Sequence, residues 1–153
     1  MAERTKICID RHLPNKTREY RATRVIPASG GRTRAIAPIG KTWINGTTLR
    51  VRFINGTPAK QAKAREEAAW WTAVANLKLD FGNALDAEIR ISFDQSDGAW
   101  SYIGTDCQSI PLKDATMNLG FLDPGTAAHE FGHAIGLAHE HQSPAGGLEW
   151  NEQ

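Results

Sequence analysis

The sequence predicts an α/β fold of the α+β kind: a mixed twisted sheet of about five strands, one backing helix, and a second helix that carries the chemistry. Three observations predict it. Several short segments alternate apolar and polar residues, one long segment between them has helical spacing, and a late segment repeats histidine at an interval of four. At 153 residues, with 41% hydrophobic and 23% charged content, the chain has the length and composition of one globular domain with a substantial core. Its apolar runs are too short to cross a bilayer, so no membrane partner is expected.

Taken in order, residues 1–41 contain Pro14, Pro27, Pro38 and the SGG of Ser29 to Gly31, with no sustained period of either kind. They read as a basic extension, a pro-segment or a linker, and residues 42–153 as the folded domain. Leu49, Val51 and Phe53 alternate with Arg50 and Arg52, the pattern of a strand with one buried face. Thr57 and Pro58 then make an N-cap and first-turn pair. The helix they start is expected to run about 20 residues and to bury Ala69, Trp70, Ala73, Val74 and Leu77, with Trp70 and Trp71 in packing roles. A short strand follows near Lys78 to Phe81. Ile89, Ile91 and Phe93 alternate with Glu88, Arg90 and Ser92 in a clearer one. Past the turn cluster DQSDGAW, the segment WSYIGTD reads as an edge strand, and Met117, Leu119 and Phe121 mark another strand.

Charge is distributed unevenly. Residues 1–65 hold 15 of the 18 Lys and Arg but 3 of the 17 Asp and Glu. A basic N-terminal segment can dock on the acidic remainder of the same chain, bind an outside polyanion, or lie solvated. The N-terminus MAERTKICIDRH lacks the apolar stretch of a secretory signal, so either the protein stays inside or a signal lies outside this chain. Cys8 and Cys107 fit neither a disulfide framework nor a zinc-finger spacing.

The densest chemistry is HEFGHAIGLAHEH, His129 to His141. Asp123 and Pro124 offer an N-cap and first position, and the helix they open is expected to stop near Ile135, because Gly136 can adopt a left-handed conformation. His129 and His133, four apart, then point the same way. Glu130 is turned about 100° from His129 and borders a metal there without having to bind it. A turn at Gly136 lets His139 swing back as a third imidazole. Three histidines and one open position form the layout of a catalytic zinc site, and Cys8 and Cys107 are too remote in sequence to be evident fourth ligands.

His129, Glu130, His133, Gly136 and His139 match HExxHxxGxxH, and on these residues the chain resembles the metzincin zinc peptidases. Glu140, directly after the third histidine, makes the astacin-like branch the nearest resemblance. The resemblance extends loosely upstream, over about residues 42–142. It implies a zincin-like fold, one Zn2+ held by His129, His133 and His139, and Glu130 as general base in hydrolysis of polypeptide substrates by a zinc-activated water. It also implies secretion.

Two other functional classes stand beside this zinc endopeptidase: a non-catalytic zinc-binding module, and a polyanion-binding protein using the basic N-terminal region; nucleic acid is not an expected partner. Several relatives block their zinc with a pro-segment cysteine or aspartate, which draws attention to Cys8 and Asp10 in ICIDRH. No family pro-segment motif is matched there, and a strand with a passive thiol is the expectation. His141 and Glu140 read as exposed or orienting groups. The methionine turn of the metzincins has no counterpart after His139, since Met1 and Met117 are the only methionines. The sequence therefore reads as an N-terminal subdomain, able to bind zinc and expected to hydrolyse peptides well only in a version extended past Gln153.

Overall fold

The computed structural model of the chain describes residues 8–11, 13, 22–25, 36–38 and 40–139. Glu140, His141 and the tail to Gln153 lie outside the described residues, as do Pro14, Pro27 and the segment Ser29 to Gly31. Three strands lie within the expected extension: β1 (Cys8–Arg11), β2 (Ala22–Val25) and β3 (Ile36–Pro38). They are followed by β4 (Thr48–Phe53), α1 (Pro58–Thr72), β5 (Lys78–Gly82), β6 (Ile89–Ser92), β7 (Ala99–Tyr102), a 3-10 turn (Gly104–Ser109), β8 (Met117–Leu119) and α2 (Thr126–Ala134). No helix among the described residues is long and apolar enough to cross a membrane.

The five expected strands form one mixed sheet in the order β7-β8-β6-β4-β5, and β1 adds a sixth outside β7; β2 and β3 pair separately as an antiparallel ribbon. β7 runs antiparallel to β8, whereas the β8, β6, β4 and β5 neighbours are mutually parallel. β7 is thus the edge of the five-strand sheet, as its composition predicts, and the chain's own β1 covers it in parallel register, Cys8 opposite Ala99 and Arg11 opposite Tyr102. Leu49, Val51, Ile89, Ile91, Met117 and Leu119 turn one sheet face towards Ala64 and Ala68 of α1 and Ala127, Phe131 and Ala134 of α2. That shared core sets the height of α2 above the sheet.

Two expectations about burial are corrected. Helix α1 ends at Thr72, and its buried positions are Ala64, Glu67 and Ala68, with Trp71 half-buried; Trp70 is 55% and Val74 80% exposed. The buried stripe is rotated by about one residue, roughly 100°, from the one read in the sequence. Alanine is spread around this helix, so apolar spacing alone does not select a face, and the contacts of Glu67 and Trp71 with α2 do. Arg90, expected on the polar side of β6, is also buried. Its guanidinium donates to the carbonyls of Ala87, Ile110, Pro111 and Asp114, so the loop after the 3-10 turn satisfies a cation on a face that would otherwise be wet.

The start of α2 also differs from expectation. It begins at Thr126, with Gly125 in a left-handed N-cap conformation and no side-chain cap of its own, rather than at Pro124 behind an Asp123 cap. The cap comes from the other helix. Buried Glu67 accepts from the backbone N–H of Gly125, Ala127 and Ala128 at 3.1, 2.9 and 3.2 Å. A carboxylate at a helix N-terminus satisfies orphan donors and lies at the positive end of the helix dipole. Glu67→Ala should therefore destabilise the fold by on the order of 3 kcal/mol, and Glu67→Gln by less, in chemical unfolding followed with a metal chelator present. A loss within about 0.5 kcal/mol, ordinary for a surface site, would show that the cap is dispensable.

Candidate metal centre

Helix α2 is gripped along its length. The indole of Trp71 donates to the carbonyl of Ala128 at 2.6 Å, and that of Trp43 donates to the carbonyl of Ala134 at 2.9 Å. A side chain at Gly132 would run into the Trp71 ring, at 2.9 Å. The C-terminus closes as a Schellman turn: the N–H of Leu137 reaches the carbonyl of Gly132, and the N–H of Gly136 reaches that of His133. Gly136 has φ 112°, and an added Cβ would meet the backbone of Lys41 and Thr42 at 3.3 Å. Position 136 therefore needs glycine twice over, for its handedness and for the close pass of the 41–42 segment. The turn reverses the chain and delivers His139.

The result is convergence of the three histidines. The Nε2 atoms of His129, His133 and His139 are separated by 3.0, 3.1 and 3.2 Å. His133 donates from Nδ1 to the carbonyl of Leu137 at 2.7 Å, which leaves its Nε2 as the lone-pair atom facing the other two. His133 is buried, His139 half-buried and His129 exposed, so the cluster opens on one side.

Sequence reasoning does not place the fourth donor. The Sγ of Cys8, in β1, is 3.8 Å from the Nε2 of both His133 and His139, and all four atoms lie within 4.8 Å of one another. Zinc–nitrogen bonds of about 2.0–2.1 Å and a zinc–sulfur bond of about 2.3 Å in a tetrahedron set edges of about 3.3 Å between nitrogens and about 3.6 Å from nitrogen to sulfur. The three nitrogen–nitrogen edges and the two sulfur edges to His133 and His139 lie within about 0.3 Å of those values, and three imidazole lone pairs aimed at one point repel unless a cation lies between them. The donor set fits zinc. Its one sulfur comes from Cys8, for which the sequence offers no signal beyond the ICIDRH segment itself. Cys107 is the opposite case: burial pushes its thiol up to about 12, and it is not part of the cluster.

Glu130 follows the first histidine on α2, is fully buried, and stands outside the four-donor set. The structure brings β7 alongside this centre through α2, and β1 lies where an extended chain would pair with β7. Among the described residues, two cationic contacts join the N-terminal segment to the acidic body: Arg11 with Asp97, and Lys41 with the buried carboxylate of Asp106.

A family model described as Astacin, a peptidase family, matches residues 36–145. Zinc metalloproteinase nas-31 of Caenorhabditis elegans is 30% identical over 99 residues, which are 64% of this chain and 15% of that protein. A solved structure of myroilysin superposes with a TM-score of 0.70 at 36% identity, covering 75% of this chain and 60% of the other. A crystal structure of myroilysin gives 0.71 at 30% identity, covering 97% and 58%. The chain thus spans less than two thirds of the length of each.

The cluster makes a quantitative prediction. Purified protein should carry one zinc per chain by elemental analysis, and His133→Ala or His139→Ala should lower the stoichiometry well below one after dialysis against a weak chelator. Unchanged zinc content in His133→Ala would remove that residue from the ligand set.

Proposed function

Because the chain belongs to the astacin family of peptidases, we propose that it is a zinc-dependent endopeptidase whose centre is held closed by Cys8. The observation that carries this reading is the four-donor cluster, three histidines from α2 and its turn and one thiol from a strand on the sheet edge. His129, His133 and His139 would hold the zinc, and the Cys8 thiolate would take the position that a catalytic site keeps for water or substrate. When bound, zinc polarises a scissile carbonyl and makes water acidic enough to ionise near neutrality.

The remaining steps belong to the protein. Glu130 takes a proton from the attacking water and returns it to the leaving amine; its backbone is fixed by the same helix that orients two ligands, so base and ligands share one rigid frame. An extended polypeptide pairs with β7 through main-chain hydrogen bonds, the place β1 occupies here. Docking of the basic N-terminal segment on the acidic body is supported by the Arg11–Asp97 and Lys41–Asp106 pairs. Residues 1–41 then act as a pro-segment and residues 42–153 as the upper part of a catalytic domain. Family membership supports secretion as the setting in which such an enzyme works.

A second reading has one observation in its favour. A closed set of one cysteine and three histidines is also how structural zinc is held, and a non-catalytic zinc module would look the same. The two separate at Cys8. With cobalt substituted for zinc, the wild-type protein should show cobalt–thiolate absorption that Cys8→Ala abolishes, and Cys8→Ala should hydrolyse a broad peptide mixture faster than wild type. Retained metal with no gain in hydrolysis, in the chain and in a version extended past Gln153 alike, would favour the structural module.

Glu130→Gln, made in the most active form available, should lower turnover by about 10²- to 10⁴-fold and leave zinc bound. Loss of zinc together with activity would assign Glu130 a structural or ligating part instead.

A further inference from the structure

The contact made by Arg11 is built as a recognition site. One guanidinium nitrogen, Nη2, donates to both carboxylate oxygens of Asp97, at 2.9 and 2.8 Å. The guanidinium carbon lies 3.7 Å above the centre of the Trp100 ring. The two receiving groups are fixed to each other, since the indole N–H of Trp100 donates to Asp97 Oδ2 at 2.7 Å. Trp100 is buried and meets Tyr102 edge-on at 5.9 Å, so its ring cannot swing to suit a different guest. A planar cation stacked on an aromatic face with a carboxylate at its edge is a fit for arginine, whose flat guanidinium stacks and donates at once; a lysine ammonium can offer a point charge only.

Register says where this pocket lies. Arg11 is three residues beyond Cys8, about 10 Å along the strand, and paired residues of parallel strands share a face. Cys8, opposite Ala99, is therefore on one side of the sheet, and Arg11, opposite Tyr102, is on the other with Trp100. Asp97 and Trp100 belong to β7 and the turn before it, not to the N-terminal segment, so the pocket stays with the folded domain when β1 is replaced by another strand.

We propose that Asp97 and Trp100 form a guanidinium-binding subsite on the outer face of β7, filled here by Arg11, that selects polypeptides carrying arginine three residues from the position over the metal. The inference rests on the peptidase reading for its biological use, but the pocket itself is a binding site with its own readout. Peptides gain affinity from an arginine that never touches the reacting atoms, and β1 holds its place partly by imitating them.

The test uses the full chain carrying Cys8→Ala and Arg11→Ala, zinc-loaded, so that its own strand lacks both anchors. Fluorescein-labelled peptides with the sequence of residues 6–13 are compared by anisotropy with the same peptide carrying alanine, or lysine, in place of arginine. The arginine peptide should bind about 10-fold more tightly than the alanine peptide, from one stacked cation and one partly exposed ion pair, with lysine between. Asp97→Asn, which keeps an acceptor for the Trp100 indole, should erase most of that difference without changing the alanine peptide. Asp97→Arg should reverse the preference towards a peptide with glutamate at that position, an outcome no merely structural part for Asp97 predicts. Equal affinity for the arginine and alanine peptides, or binding by neither, overturns the subsite. The peptide comparison needs no change at Asp97, so it stands even where such a variant misfolds. Binding is read without turnover, and turnover of the same peptides is measured separately in a version extended past Gln153: a protein that prefers arginine yet cleaves nothing there would refute the peptidase reading alone, whereas a peptidase indifferent to arginine would refute the subsite alone.

Discussion

The structure depends on the immobility of one short helix. α2 has nine residues, a length that is marginal as an isolated helix in water, and it must hold two imidazoles to within tenths of an ångström. Its rigidity is imported. Glu67 supplies the cap that Gly125 lacks, Trp71 and Trp43 bind carbonyls near its two ends, and Phe131 and Ala134 seat it in the sheet core. Buried Glu67 and the indoles come from elements that contribute no residue to the histidine cluster, so fixing the imidazoles makes demands on the helix beneath them as well as on the motif itself.

The third histidine follows from a different constraint. His139 cannot lie on the same helical face, so the chain must turn sharply within a few residues, and the Gly136 turn does this while the 41–42 segment presses against it. That segment is itself anchored: the Lys41 carbonyl accepts from the Thr105 N–H, and the Lys41 ammonium pairs with Asp106. The 3-10 turn, the strap and the glycine turn therefore form one packed unit. A change in any of them would be felt at His139 before it was felt at His129.

How much of this is legible in the sequence varies with the distance over which the signal acts. β4 and α2 are readable because period and spacing are local: Leu49 and Val51 are buried as alternation requires, and the Gly136 stop falls where it is expected. The buried face of α1 is misread from spacing because alanines on several faces leave it ambiguous, and the deciding contacts, Glu67 to α2 and Trp71 to Ala128, span 57 to 61 residues. Arg90 is misplaced for the same reason, since its carbonyl partners come from a loop with no pattern of its own. Cys8 attracts notice in the sequence but no structural role, because it lies 125 and 131 residues from the histidines it meets and no local motif encodes that meeting.

The buried apolar cluster joins β4, β6 and β8 to both helices. Among the described residues, β1 is held by main-chain pairing with β7, a partly exposed arginine clamp, and a thiol beside the three histidines. The first two are individually weak in water, whereas a thiolate bound to zinc is strong. Under the proposed Cys8 ligation, strand and metal would reinforce each other reciprocally, since whatever raises the affinity of one must raise that of the other by the same factor. With the proposed Cys8–zinc bond as its firmest attachment, the strand would close the site most tightly when the metal is bound, and removing the metal would loosen it.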